Sequence, residues 1–566
     1  MLPVEWPGDA SPENYRHPIA WDSEIEPLTL PDLFERGVCL AGTRKIVDFY
    51  GRRTSYVDMR AEARKAAAAL QRAGVGKGDR VGLYLPNVPV YVAAYYGILI
   101  AGATVVNFSP LYTVEELAAQ VEDSGVTILF TIDSVALLPT ARSVLECSGL
   151  ETLVVKSLAD MLPRLKSALL RIVGRRQLAA IPSNDPRVVP YDRFVAGCDD
   201  PDPVEIDPLN DVALLIYTGG TTGRPKGAML THQNMSANAR QTLRVDAHRG
   251  ERDIMLGVLP MFHVFANAVV LNRTVLDGGM IVMLPRFDAR QTLKALGRVR
   301  ATSFPAVPTM FQALLDHPDI AKTNFSSLRV CISGGAPLPL PLKRKFEERT
   351  GAHIVEGYGL TESCIVSTNP FDGWDYEKPG TIGQPLPGTR VRLLDKEDPA
   401  SLAPAGQPGE LAIRGPQTMK GYWNRPEAGN VFADGYLRTG DVATIDADGF
   451  VTIVDRIKDM ISVGGFKVFP SQIEEVMLER PTIREALIIG IANDYLGEVP
   501  KAYVTLNEGA EDTGDAIRTW INQHVGKHER IHEIEIRDEL PKTMIGKLDR
   551  KALRAELEDA KKEPVA

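Results

Sequence analysis

The segment Tyr217-Thr218-Gly219-Gly220-Thr221-Thr222-Gly223-Arg224-Pro225-Lys226-Gly227 is mostly glycine and threonine with one lysine, and the apolar run Val212–Ile216 leads straight into it. A strand ending in such a loop offers closely spaced backbone N–H groups, hydroxyls and a cation, the groups that hold a polyphosphate. Glycine, lacking a Cβ, lets the backbone approach the phosphate oxygens. The segment is not a Walker A loop, which needs Gly-Lys followed by Ser or Thr; here Lys226 follows Pro225 and precedes Gly227. Taken by itself, the loop also fits an unliganded surface turn.

The next residues, Ala228-Met229-Leu230-Thr231-His232-Gln233-Asn234, weigh against that bland reading. With them the chain closely resembles the adenylate-forming enzymes, which comprise acyl-CoA synthetases, luciferases and peptide-synthetase adenylation domains. Their signature reads Thr-Ser-Gly-Thr-Thr-Gly-x-Pro-Lys-Gly, and this chain departs from it in Gly219, where Ser is usual. Further stretches extend the resemblance. Ser333-Gly334-Gly335-Ala336-Pro337 follows an expected strand. In Glu356-Gly357-Tyr358-Gly359-Leu360-Thr361-Glu362 the glycines allow close approach, Tyr358 can stack on a base, Thr361 can donate to a phosphate and Glu362 offers a hard oxygen for Mg²⁺. Alone, Glu362 reads as a solvated carboxylate; its match to the family's Tyr-Gly-x-Thr-Glu motif reverses that reading. In Thr439-Gly440-Asp441 the carboxylate could cap a local turn. Near the C-terminus stands Pro541-Lys542-Thr543-Met544-Ile545-Gly546-Lys547.

The resemblance implies roles for these residues. Lys547, Glu362 and Thr218 form the catalytic set, with Lys547 at the carboxylate–α-phosphate junction and Glu362 holding the ATP magnesium. The nucleotide is held by Thr218, Gly219, Gly220, Thr221, Thr222, Gly223 and Lys226, by Gly335, Ala336 and Pro337, by Glu356, Gly357, Tyr358, Gly359 and Thr361, and by Asp441, Arg456 and Lys547. Asp441 accepts the ribose hydroxyls. Lys458 matches the hinge position, and Gly464 and Gly465 fit a narrow thiol channel. The acid pocket is expected from Pro260–Phe265, Val307–Met310, Gly334-Gly335 and Tyr358-Gly359, with Phe262, His263, Val307, Gly334 and Gly359 touching substrate. Phe, Val and Met dominate there, favouring an apolar tail, each buried CH₂ being worth about 0.8 kcal/mol. His263 reads as a wall or gate, because a carboxylic acid is already ionised at neutral pH.

Leu85-Pro86-Asn87 and Asn107–Thr113 look like bacterial long-chain fatty acyl-CoA synthetases. Asp434–Met460 is similar to the fatty-acyl signature, departing in Tyr436 for Trp and Arg438 for His. ATP, Mg²⁺ and coenzyme A are the implied cofactors, and the implied reaction joins a medium- to long-chain fatty acid to CoA through an acyl-adenylate. A dicarboxylic or aryl acid substrate, or delivery to a carrier protein, stays open. A fatty-acid uptake protein with a vestigial ATP site is disfavoured by intact Lys226, Glu362, Asp441 and Lys547.

The 566 residues call for two or more domains. Strand-like runs (Arg80–Tyr84, Thr127–Thr131, Arg329–Ser333) alternate with helical patterns (Glu115–Ser124, Ala289–Val299, Leu340–Thr350), which predicts an α/β fold. The expectation is a large N-terminal ATP- and acyl-binding domain of helix-covered sheets (1–455), with a small β-rich subdomain from about Gly380. A small mobile α+β C-terminal lid (456–566) follows the charged junction Asp455–Asp459. The net charge of −9 argues against broad nucleic-acid binding. Five scattered cysteines without a Cys-x-x-Cys pair suggest neither disulfides nor zinc. Residues 1–26 lack a basic-then-apolar signal pattern. Val81–Val114 contains no charge, yet Pro86, Asn87, Pro89, Asn107 and Pro110 interrupt it, so it reads as core. Met161–Leu178 mixes apolar residues with Arg164, Lys166, Arg171, Arg175 and Arg176. It fits an interfacial membrane helix and, equally, an ordinary docked surface helix. These features place the chain in the cytoplasm, with peripheral contact at the inner membrane face through 161–178 and a homodimer both left open.

Overall fold

The run before the Gly/Thr loop forms the strand Val212–Thr218, buried from Ala213 to Tyr217. The computed structural model describes residues 3–7, 14–218, 225–371, 376–425, 431–493, 495–543 and 546–562. In it this strand runs parallel to Thr104–Asn107 on one side and antiparallel to Lys226–Thr231 on the other. The eight-stranded sheet continues in parallel through Arg80–Leu83, Ile128–Ile132, Thr152–Lys156 and Val188–Pro190. Unbroken apolar strands are what a sheet covered on both faces requires.

A second sheet has nine strands, in the order Gln384–Pro385, Cys364–Thr368, Ile354–Leu360, Val330–Ser333, Ser303–Ala306, Ile254–Gly257, Met280–Met283, Lys45–Phe49 and Arg52–Ser55. Its centre is parallel and its two ends are antiparallel hairpins. Helices link the two sheets. Pro89–Ile100 starts with proline, harmless where the first N–H groups have no partner, and every residue from Val90 to Leu99 is buried. The uncharged stretch is therefore core, as expected. Gly97 lets this helix cross Tyr56–Arg72 closely, because a Cβ there would lie 2.7 Å from Ala66 Cβ and 2.9 Å from Ala63 O.

Opposite Pro89–Ile100 lies Ala266–Arg273, a π-helix that the sequence did not announce. Its wider turn brings residues five apart together, and Asn272 Nδ2 donates to Asn267 Oδ1 at 2.9 Å. A buried ladder follows. Tyr95 donates to Asn267 (3.0 Å), Asn272 to Tyr95 (3.2 Å), Tyr96 to Asn272 (3.0 Å) and Asn267 to Tyr91 (3.3 Å). Tyr91 in turn donates to Asn107 Oδ1 (2.9 Å) and to Met261 O (2.8 Å). Every hydroxyl of this apolar-looking layer has a partner, as burial demands.

The Gly/Pro-rich texture after Gly380 becomes an antiparallel six-stranded sheet containing Arg390–Leu394, Gly409–Arg414, Tyr436–Ile445 and Val451–Arg456. After the turn Ile457–Asp459 the chain forms a five-stranded sheet with the helices Pro470–Leu478 and Gly514–His524. Its core, including Ile461, Ile473, Ile488, Val504 and Ile517, is separate from the main one. The fold is thus a large N-terminal α/β body with a β-rich part and a small α+β C-terminal body. Among the described residues, no helix is long and apolar enough to cross a membrane.

Candidate active site

A cleft of about 2780 Å³ opens between the two bodies. One wall comes from the hairpin Val212–Thr218/Lys226–Thr231, where Thr218 pairs with Lys226 and Thr218 Oγ1 donates to Lys226 O at 3.3 Å. Gly219, Gly220, Thr221, Thr222 and Gly223 lie outside the described residues. Lys226 Nζ sits 5.3 Å above the ring of Tyr422, whose hydroxyl donates to Glu362 Oε1 at 2.7 Å. Tyr422 therefore spaces cation from carboxylate, and burial beside Glu362 keeps its phenol protonated. Tyr422 escaped sequence reasoning because it belongs to no quoted motif. It sits on the strand Gly421–Tyr422, hydrogen-bonded to the Lys226 strand.

At the other wall Asp441 is nearly fully buried (3% exposed) and accepts hydrogen bonds from Tyr358 Oη and from Arg456 Nε, the latter at 3.1 Å. The turn expected at Thr439–Asp441 is instead a kink within the strand Tyr436–Ile445, where Gly440 has φ +73°. Glu410, also overlooked in the sequence, holds this kink. It accepts from Gly440 N at 3.1 Å and pairs with Arg438 at 2.7 Å.

Lys547 enters from the C-terminal body. Thr309 Oγ1 donates to Gly546 O at 2.9 Å, and a Cβ on Gly335 (φ +82°) would lie 2.8 Å from Lys547 Cε. Burial, and then the Arg456 charge, lower the Lys547 pKa to about 8. Burial and the Lys547 charge lower that of His263 to about 3, so His263 is neutral and serves as a wall. Lys458 also lines the cleft, its pKa lowered by burial and then by Arg456. Gly335, Ala336, Pro337, Gly357 and Thr361 border the same space. Gly464 and Gly465 do not. They form an exposed turn, at φ +56° and +88°, between Ile461–Val463 and Phe466–Val468.

A further, largely apolar part of the lining gathers Phe262, His263, Val307, Gly334 and Gly359, the residues expected to touch the acid, with Phe265, Val269, Cys364 and Ile365, and reaches as far as Thr242 and Arg273. Phe265, Val269 and Arg273 recur every four residues, the face of the π-helix opposite Asn267 and Asn272. Arg273 is buried and paired with Asp253 at 2.8 Å and with Asp246. Cys364 is buried and contacts Met235 Sδ at 3.5 Å. A Cβ on Gly359 would lie 2.0 Å from Cys364 O, which backbone cannot yield cheaply. Gly359→Ala is therefore expected to destabilise the protein by about 1–3 kcal/mol and to raise KM for the acid; calorimetry showing an unchanged Tm would refute this.

Glu356 is buried, with Leu338 N donating to its Oε1 at 3.1 Å. Burial pushes its pKa up to about 8. Between the ordinary carboxyl pKa and pH 8 the folded chain holds a proton that the unfolded chain has lost. This group's contribution is full at low pH and falls as pH rises, by up to about 1.4 kcal/mol per pH unit. Glu356→Gln is expected to remove that slope. Denaturant midpoints at pH 5, 6.5 and 8 check it, and parallel curves for parent and variant would count against it.

Two family models match the chain, AMP-binding enzyme over residues 36–423 and AMP-binding enzyme C-terminal domain over 472–547. The chain belongs to the AMP-binding enzyme family. Among its relatives, a long-chain-fatty-acid–CoA ligase of Bacillus subtilis (strain 168) is 37% identical over 548 residues, covering 95% of this chain and 96% of that protein. One of Yersinia pestis is 37% identical over 553 residues (96% and 97%). ATP-bound MatB from Rhodopseudomonas palustris superposes with a TM-score of 0.82 at 28% identity, covering 94% of this chain and all of that one. The anthranilate CoA ligase AuaEII, in complex with anthranoyl-AMP, superposes at 0.84 with 25% identity, covering 96% and all, respectively.

Proposed function

We propose that the protein is an ATP- and Mg²⁺-dependent ligase that joins a medium- to long-chain fatty acid to coenzyme A. The approach of Lys547 over Gly335, in one cleft with His263 and the Asp441–Tyr358–Arg456 cluster, carries this reading. The names of the full-length relatives point the same way. In the first half-reaction a carboxylate oxygen attacks the α-phosphorus of ATP and pyrophosphate leaves. In the second, the CoA thiolate attacks the acyl carbonyl and AMP leaves. Neither step needs a side-chain nucleophile, so positioning and charge carry the catalysis. Asp441 would hold the ribose, Tyr358 the base, and Lys226 with the Gly/Thr loop the outer phosphates. Lys547 would offset the charge that crowds the α-phosphate. Mg²⁺ supplies further charge neutralisation when bound. Among the described residues no group of three or more His, Cys, Asp or Glu gathers to hold a metal. Glu362 together with nucleotide oxygens fits the sparse protein ligation usual for Mg²⁺.

Residues 1–455 are assigned to the ATP- and acyl-binding domain and 456–566 to a lid turning about Lys458. That rotation would withdraw Lys547 and bring the Gly464–Gly465 turn to the pantetheine arm. A cytoplasmic location and a homodimer belong to the same reading. The test is CoA-dependent AMP release with MgATP across short, medium and long aliphatic acids, benzoate and a dicarboxylate. A maximum among longer aliphatic acids is expected. A maximum for benzoate or the dicarboxylate, or pyrophosphate release without thioester, would overturn the substrate or the second half-reaction respectively.

A further inference from the structure

The segment Met161–Leu178 contributes no residue to the cleft. It folds as the helix Arg164–Ile172 and the short turn Arg175–Gln177 rather than as one continuous helix. A docked amphipathic helix turns its apolar stripe inward; this one turns it out. Leu165, Leu169, Ile172 and Val173 are 88%, 60%, 74% and 74% exposed, and none of the nine helical residues is buried. Their spacing of four, three and one residues makes a single stripe along the helix. The polar flank makes the attachment instead. Lys166 Nζ donates to Tyr50 O at 2.9 Å and lies 5.4 Å over the Tyr50 ring, and Arg171 pairs with Asp160, whose carbonyl also accepts from Arg52. At the far end Val135 N donates to Gln177 O at 3.0 Å. The outward stripe is thus held in place by tethers at both ends.

We infer that this face is a docking surface for an anionic lipid bilayer. The segment carries Arg164, Lys166, Arg171, Arg175 and Arg176 and no acidic residue, in a chain whose net charge is −9. Arg164, Arg175 and Arg176 are exposed and form no ion pair among the described residues. Apolar side chains flanked by unpaired arginines match the boundary between acyl chains and anionic headgroups. A second copy of the chain fits less well, because a two-fold contact through this patch would set like charges against each other. The inference adds a surface to the proposed ligase and does not depend on that reading.

The test is co-sedimentation of the full chain with vesicles of phosphatidylcholine alone or of equimolar phosphatidylcholine and phosphatidylglycerol. The parent is expected to partition onto the phosphatidylglycerol vesicles, and less so as salt rises. Leu165→Ser/Leu169→Ser/Ile172→Ser and Arg164→Ser/Arg175→Ser/Arg176→Ser should each lose at least about tenfold in partitioning. Both variants should keep the parent Tm and octanoate turnover, since the changed side chains lie in solvent. Sedimentation of the parent that matches either variant, or no sedimentation at all, overturns the inference. So does a parent that elutes as a dimer while the stripe variant elutes as a monomer, because the occupant would then be a second copy. Vesicle binding is read without turnover, so a failed ligase assay and a failed docking test are distinguishable.

Discussion

Lys547→Ala is expected to lower acid-dependent pyrophosphate release by about two to three orders of magnitude, while thioester formation from preformed acyl-adenylate and CoA stays largely intact. The lysine comes from the C-terminal body, is held through Gly546 by Thr309, and passes over Gly335, where any Cβ would press on it. In this arrangement of the two bodies it lines the cleft beside Gly335, where the proposed first half-reaction would take place. Its charge also predicts a pH signature. With a pKa near 8 in the nucleotide-free protein, the ammonium is present below pH 8 and lost above it. The kcat/KM for ATP in adenylation should therefore fall as pH rises through about 8, and the thioester step should not. Lys547→Arg, charged throughout, should lose that fall. Equal losses in both half-reactions, or a flat pH profile in the parent, would show that Lys547 is not the adenylation cation.

Asp441→Ala should raise KM for ATP by roughly two orders of magnitude with little change in KM for the acid. The buried carboxylate holds Tyr358 and Arg456 at once, and removing one partner of such a set typically costs 2–5 kcal/mol. Steady-state kinetics with each substrate varied in turn decide it. A rise in KM for the acid alone would move Asp441 from the nucleotide side to the acyl side.

Much of this was legible in the sequence because it is local. Apolar runs such as Val212–Ile216 and the 3.6-residue patterns of Ala289–Val299 and Leu340–Thr350 depend on near neighbours, and those helices stand where the pattern put them. Glycine-rich segments mark close approach, and Gly335 and Gly359 both meet atoms that a Cβ would strike. What stayed hidden depends on distant partners. The π turn of Ala266–Arg273 rests on tyrosines about 170 residues earlier, which no local pattern marks. Tyr422 and Glu410 carry no motif and are recognised by what they hold. The periodicity of Leu165–Val173 shows a stripe but not its direction, which is set by Tyr50 and Asp160 outside the helix.

The tyrosine–asparagine ladder has a practical side for anyone redesigning the cleft wall that carries His263. Met261 and Asn267 flank the loop that carries His263, and both are stitched to Tyr91, while Asn87 Nδ2 donates to Leu259 O at 2.8 Å and Asn87 Oδ1 accepts from Met261 N at 2.8 Å. The wall is therefore upholstery on a rigid frame. Phe265 and Val269 are panels that can be exchanged to reshape the cavity. Asn267 and Asn272 are joinery, and deleting one residue from this turn would swing the panels that follow it away from the cleft.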